Sequence, residues 1–292
     1  MNIILKILVF SIVLFLYIHI HFHLKTSDDF EVFELTDVSK DKLEEVCDLR
    51  QPLTFLVNIE NLNEFNIDNL KNKYSSFELN LRNKDNNDKK SEIYLPLKLD
   101  KIIDVFSEDN NKKYYSENNI DFLKETSLIK TIKINDGYFR PAMLLQSHYD
   151  FILGSKDVTT FLKYDIAYRN YFIVLDGNIE IKLTPPKSIR YLDCKKDYDN
   201  FEFHSELDPW NIQENLKDNF DKIKFMDLNL TKGNVIFIPA YWWYSIKLND
   251  NAKLLNLKYI TYMNYLAISP EKIKQFFQKQ NIKHDFNISK DL

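Results

Sequence analysis

From Ala142 onward the chain repeats one pattern, and few folds accommodate it. Short apolar runs alternate with polar positions and stop at turn residues. Tyr171 to Leu175 (YFIVL) reads as a strand. Asp176-Gly177 follows, a pair suited to a two-residue hairpin because both turn positions need positive φ. The partner strand, NIEIKL, puts Ile179, Ile181 and Leu183 on one face, and Pro185-Pro186 ends it. Lys232-Gly233 turns the chain into NVIFIPAYWWYSIKL, and KLLNLKYITYMNY completes the run. Ser269-Pro270 then starts a helix over Glu271 to Gln280. Paired strands separated by long excursions predict a mostly β fold, a jelly roll with flanking helices.

The preceding stretch supplies those helices. Ser39 caps a helix over Asp41 to Leu49, and Pro52 to Ile59 (PLTFLVNI) reads as a strand. Ile67 to Tyr74 looks helical, and Ser76 to Arg82 alternates as a strand. Asn83 to Lys90 is an exposed loop. Pro96 to Phe106 reads as a short helix packed by Leu97, Ile102 and Phe106, and Asn118 to Leu128 as another. Repeats and a second-domain boundary are not evident.

Apolar residues make up 45% of the 292, and charged residues 28%, so the body is globular rather than disordered. The net charge of −4, with no clustered basic face, argues against a nucleic-acid partner. Two cysteines, Cys47 and Cys194, are too few for a disulfide framework or a zinc site. They either pair in an oxidising compartment or stay free and buried, and the second state is expected.

Ile7 to Leu24 (ILVFSIVLFLYIHIHFHL) spans ~27 Å as a helix, close to the hydrocarbon thickness of a bilayer. Lys6 precedes it, and Lys25, Asp28, Asp29 and Glu31 follow. This bias puts the N-terminus in the cytosol and the body outside or in a lumen. The exit lacks the small residues of a cleavage site, so a retained anchor is expected over a cleaved signal peptide. His19, His21 and His23 suit an interfacial belt with Tyr17 and Phe22; His19 and His23 also share a face, which a metal would need. The expected division is an anchor over 1–26, a body over 27–268, and a C-terminal helix and tail over 269–292. The sequons at Asn229 and Asn287 fit a lumenal body.

Two segments go beyond pattern. Leu153 to Pro186 contains Thr160-x-x-Lys163-x-Asp165, then Gly177-x-Ile179 and Pro185-Pro186. Lys232 to Leu248 contains Gly233 and IPAYWWY, ending at Tyr244. Together they resemble the JmjC/cupin-like family of Fe(II)- and 2-oxoglutarate-dependent oxygenases, close to the protein hydroxylases. That family reads T-x-x-H-x-D, G-x-K and Pro-Pro, then G-D-hydrophobic-I-P-x-x-W-W-H. Ser205-Glu206-Leu207-Asp208 is similar to the family's S-x-V-D element, and weaker similarity runs from Phe33 to Tyr265. The resemblance implies a double-stranded β-helix.

It also implies a site, and the site residues depart from the family pattern. In H-x-D, ligands at i and i+2 share one strand face, and a distant histidine completes the triad. Here the positions are Lys163, Asp165 and Tyr244. An ammonium has no lone pair, and a neutral phenol is a poor ligand. The lysine that pairs with 2-oxoglutarate falls on Ile179, while Thr160 and Asn256 match neutral cosubstrate contacts. The resemblance therefore implies a pseudoenzyme without metal or cofactor, binding a protein or small-molecule ligand in the old groove. The alternatives are an active hydroxylase with an altered metal site, drawing on His148 or His204, and a ligand-binding cupin. Without a metal, Asp165 is expected to be neutralised by Lys163, with the Tyr244 hydroxyl bonded to the pair. Trp242 and Trp243 are expected in the core, with Trp210 and Tyr241 available to a groove.

Overall fold

The computed structural model describes residues 3–36, 39–57, 62–85, 93–249 and 252–288. The N-terminal part supplies α1 (Ile3–Leu24), β1 (Phe33–Leu35), α2 (Lys40–Cys47), β2 (Leu53–Leu56), α3 (Ile67–Tyr74), β3 (Glu78–Asn83), β4 (Tyr94–Lys98), α4 (Leu99–Glu108), β5 (Tyr114–Ser116), α5 (Ile120–Glu125) and α6 (Leu128–Asn135). The strand-rich part follows with β6 (Leu144–Gly154), β7 (Val158–Thr159), β8 (Leu162–Tyr164), β9 (Arg169–Asp176), β10 (Asn178–Thr184), β11 (Cys194–Asp197), β12 (Glu202–Ser205), α7 (Lys217–Phe220), β13 (Met226–Thr231), β14 (Asn234–Phe237), β15 (Trp243–Leu248) and β16 (Lys253–Thr261). Two helices close the chain, α8 (Tyr262–Ala267) and α9 (Ser269–Ile288). The end of the strand expected to reach Ile59, and most of the loop expected to end at Lys90, lie outside the described residues.

The strands form two sheets. The larger runs β1-β2-β14-β9-β16-β6-β5-β3-β4, and the smaller β11-β12-β8-β15-β10-β13, with β7 beside β15. Pairing is antiparallel except between β1 and β2. Ile179, Ile181, Leu183, Tyr244, Ile246 and Leu248 of the smaller sheet meet Phe172, Val174, Ile236 and Leu254 of the larger. The other face of the larger sheet is covered by the N-terminal helices through Leu43, Leu70, Leu99, Phe122 and Ile132. Burial on both faces explains why β9 reads as an unbroken apolar run. Trp242 and Trp243 are fully buried, as expected of a core pair.

Three sequence readings change. Asp176-Gly177 is not a hairpin: β9 belongs to the larger sheet and β10 to the smaller, so the turn is a corner between sheets. Gly177 takes positive φ (69°), and Asp176 does not. Lys232-Gly233 makes a second corner, between β13 and β14, with Gly233 at φ 88°. NVIFIPAYWWYSIKL divides into β14 and β15 on opposite sheets, with Tyr241 at φ 68° in the crossing. Pro96 lies in a strand, not a helix. Having no N–H to donate, it fits the edge strand β4, and the helix begins at Leu99.

Ser39 caps α2, its hydroxyl accepting from Lys42 N at 3.3 Å. Cys47 and Cys194 are unpaired, the first buried against the Tyr171 hydroxyl and the second half-buried on β11. α1 is long and apolar enough to cross a membrane, a property it shares with signal sequences.

Candidate functional site

β8 lies between β15 and β12 in the smaller sheet. Lys163 stands directly opposite Tyr244 on one side and His204 on the other. Opposed residues of antiparallel strands point to the same face, so all three side chains enter the space between the sheets. Asp165 follows just past the end of β8. From the larger sheet, Asn256 and Lys258 of β16 share the inward face with Asp150 and His148 of β6 and Asn170 of β9. The chain thus brings Lys163, Asp165, Tyr244 and Asn256 to one end of the space between the sheets.

Their partners differ from the expected ones. Lys163 does not neutralise Asp165: its Nζ lies 2.7 Å from Glu117 Oε2. Asp165 is held by Lys258, with Nζ 2.5 Å from its Oδ2, and its Oδ1 accepts from Ala167 N at 2.8 Å. Arg82 Nη1 reaches Glu117 at 2.5 Å, and its two terminal nitrogens grip both oxygens of Glu202 at 2.8 and 2.9 Å. Three ion pairs, Lys163–Glu117, Lys258–Asp165 and Arg82–Glu202, therefore each join the smaller sheet to the larger one or the segment leaving its strand β5.

The charges are fixed by this pairing. Burial raises the Glu117 carboxyl, but Lys163 and Arg82 outweigh it and bring it down to about 2. Burial also raises Asp165, and Lys258 reverses it, so the group ends below its ordinary value. Burial lowers Lys163, but the acidic groups around it, Glu117 first, together outweigh it, so the group ends above its ordinary value. At Asp150 burial outweighs the lowering by Lys258 and by its N–H donors. Burial pushes it up to about 6, although the Asn118 and Asn119 N–H groups donate to it at 2.8 and 2.7 Å.

The cosubstrate positions are also occupied by structural roles. Ile179 is fully buried between Leu230 and Leu248 on its neighbouring strands. The Thr160 hydroxyl accepts from Ile246 N at 2.9 Å, and Asn256 Nδ2 donates to Asn170 Oδ1 and Tyr171 O at 2.7 and 2.9 Å. His148 is exposed, and His204 is half-buried with its Nδ1 lacking a protein partner. Among the described residues, no three of His, Cys, Asp and Glu gather as a metal-ligand set. The donors at the motif positions do not fit Fe(II): one is a bonded ammonium, one a carboxylate already shared with Lys258, one a buried phenol.

Beside this cluster lies a polar cavity of about 280 Å³, lined by Lys84, Thr160, Phe161, Ser205, Glu206 and Asp208 among others. Lys84 Nζ bonds Asp208 Oδ2 at 2.7 Å and the Thr159 hydroxyl. Half-buried Trp210 donates from Nε1 to Ser245 Oγ at 2.8 Å.

Sequence reasoning missed Lys258, Glu117, Arg82 and Glu202. For Lys258 a signal existed: two residues after Asn256 on an alternating strand, it must share the inward face. Glu117 lies just past β5 in an irregular segment that pattern does not mark.

A comparison with curated proteins finds no match. A family model described as the cupin-like domain matches residues 23–265, which take in both sheets, α2 to α7 and the start of α8. The chain therefore belongs to the cupin-like domain family, among the JmjC-like cupins.

Proposed function

We propose that this chain is a membrane-anchored, non-catalytic cupin-like protein acting as a binding or scaffolding module. One observation carries the reading: the side chains at the motif's metal positions are spent on inter-sheet ion pairs, Lys163 with Glu117 and Asp165 with Lys258. Two ammonium groups at this spot repel a divalent cation. Buried Ile179 offers no charge to a dicarboxylate.

The cavity beside Thr160 supports a binding role. Its size suits a small ligand, and Lys84, Glu206 and Asp208 give it both signs of charge. The anchor is α1, with the body over 27–268 outside or in a lumen and the C-terminal helix and tail beyond it. Exposure of Asn229 on β13 is compatible with that orientation.

The test is turnover and metal content of protein purified without a histidine tag. Incubation with Fe(II) and 2-oxoglutarate is expected to give no succinate above background, and elemental analysis no stoichiometric iron. Succinate formed in proportion to protein would overturn the reading.

A further inference from the structure

We propose that α8 and the apolar face of α9 lie in the interfacial layer of the membrane, so that the body is docked on the lipid surface instead of hanging from a loose tether. The proposal rests on reading α1 as a membrane span.

α1 is not bare along its whole length. Every described residue up to Phe15 is exposed, but Leu16, His19 and Ile20 are half-buried and His23 is buried. Their i, i+3, i+4, i+7 spacing makes one face, and α8 is the helix packed along α1. The end of α1 is held firmly. The His23 ring lies 4.9 Å from that of Tyr168, and its Nε2 is 3.4 Å from the Thr261 hydroxyl that caps α8. The Arg50 guanidinium lies 5.2 Å from the Phe22 ring and 4.7 Å from the Tyr168 ring.

Length then decides how deep the body sits. A span needs ~30 Å of apolar helix. Ile7 to Phe15, the apolar part free of the body, supplies ~14 Å. The remaining ~16 Å must come from the turns that α8 covers, which draws α8 at least into the ~5–10 Å over which interfacial helices bury their apolar faces. At that level α8 turns outward Tyr262, Tyr265 and Leu266, which are 52%, 37% and 43% exposed. Met143 lies alongside, its carbonyl accepting from Tyr262 N at 3.2 Å. α9 repeats the pattern with exposed Ile273, Phe276 and Phe277, again at i, i+3 and i+4. Tyrosines at the lipid–water boundary and apolar side chains beneath it are the composition such a surface requires.

The test uses the full chain in phosphatidylcholine–phosphatidylserine nanodiscs, in a Cys194→Ser background that leaves Cys47 buried. A fluorophore is placed in turn at Val9→Cys, Tyr265→Cys and Phe277→Cys, all exposed positions. Quenching by lipids spin-labelled near the headgroup is compared with quenching by aqueous iodide. The Tyr265 and Phe277 sites are expected to be quenched at least twofold by the shallow lipid label and shielded from iodide. If Val9 is lipid-quenched while the other two stay open to iodide, docking is refuted and the anchor stands. Lipid quenching at Tyr265 and Phe277 without it at Val9 would uphold docking and refute the span. Quenching at none of the three would refute both.

Discussion

At position 163 the fold buries an ammonium between the two sheets, and charged groups are arranged around it. Lys163 needs a counter-charge once buried, and Glu117 supplies it from across the sandwich. Asp165 is served by Lys258 of the facing sheet. The competition between ion pairing and metal binding is testable by introducing imidazoles. Lys163→His with Tyr244→His places two ring nitrogens on opposed residues of neighbouring strands, next to Asp165. Weak Co(II) binding is expected, because Lys258 still holds the carboxylate. Adding Lys258→Met should tighten it at least tenfold by titration calorimetry, since a freed charge-assisted contact is worth ~1.5–3 kcal/mol. Equal affinity with and without Lys258 would show that its pairing with Asp165 does not compete with the metal.

At the scale of elements, the turns decide the architecture. Gly177 and Gly233 occupy positive φ at corners where the chain leaves one sheet for the other. Gly154 has a different reason. A Cβ there would lie 2.6 Å from Val158 Cγ1, 2.8 Å from Leu248 Cδ1 and 3.1 Å from Tyr115 Cβ. β6 therefore meets β7 and β15 with no room for a methyl group. Gly154→Ala is expected to cost ~1–3 kcal/mol in urea denaturation. Gly137→Ala, with nothing within 4 Å of the new carbon, should cost nothing measurable. Similar losses for both would mean that the close approach at Gly154 is not what requires glycine. The local apolar pattern that identifies β9 and β10 is blind to this level of structure. A same-sheet hairpin and a corner between sheets can both present two apolar runs joined by the same Asp-Gly pair.

Across the whole molecule, the inter-sheet ion pairs tie stability to pH. Glu117 titrates at about 2 in the fold against 4.5 when unperturbed, and Asp165 is also lowered. The unfolded chain takes up these protons first, so their contribution is complete above about 4.5 and is lost as pH falls toward 2. Asp150 acts in the opposite sense. Raised to about 6 from 3.8, it keeps its proton longer in the fold, so stability declines as pH rises through that window. The urea midpoint should therefore climb steeply from pH 2.5 to 4.5 and sag between about 4 and 6. Asp150→Asn should remove the sag and leave the acid limb; an unchanged sag would exclude Asp150 as its source.

The sequence by itself determined the sheet-rich body, the helices ahead of it, the apolar N-terminal helix and the inward face shared by Lys163 and Tyr244. These follow from local periodicity, capping and turn residues, and from motif order. Only the tertiary structure decided who pairs with whom. Glu117 and Lys163 are far apart in the chain, as are Asp165 and Lys258, and no local rule relates them. The partners of a buried charge are chosen by whichever opposite charge the packed sheets bring within reach. That is why the expected Lys163–Asp165 bond gave way to two pairs across the sandwich.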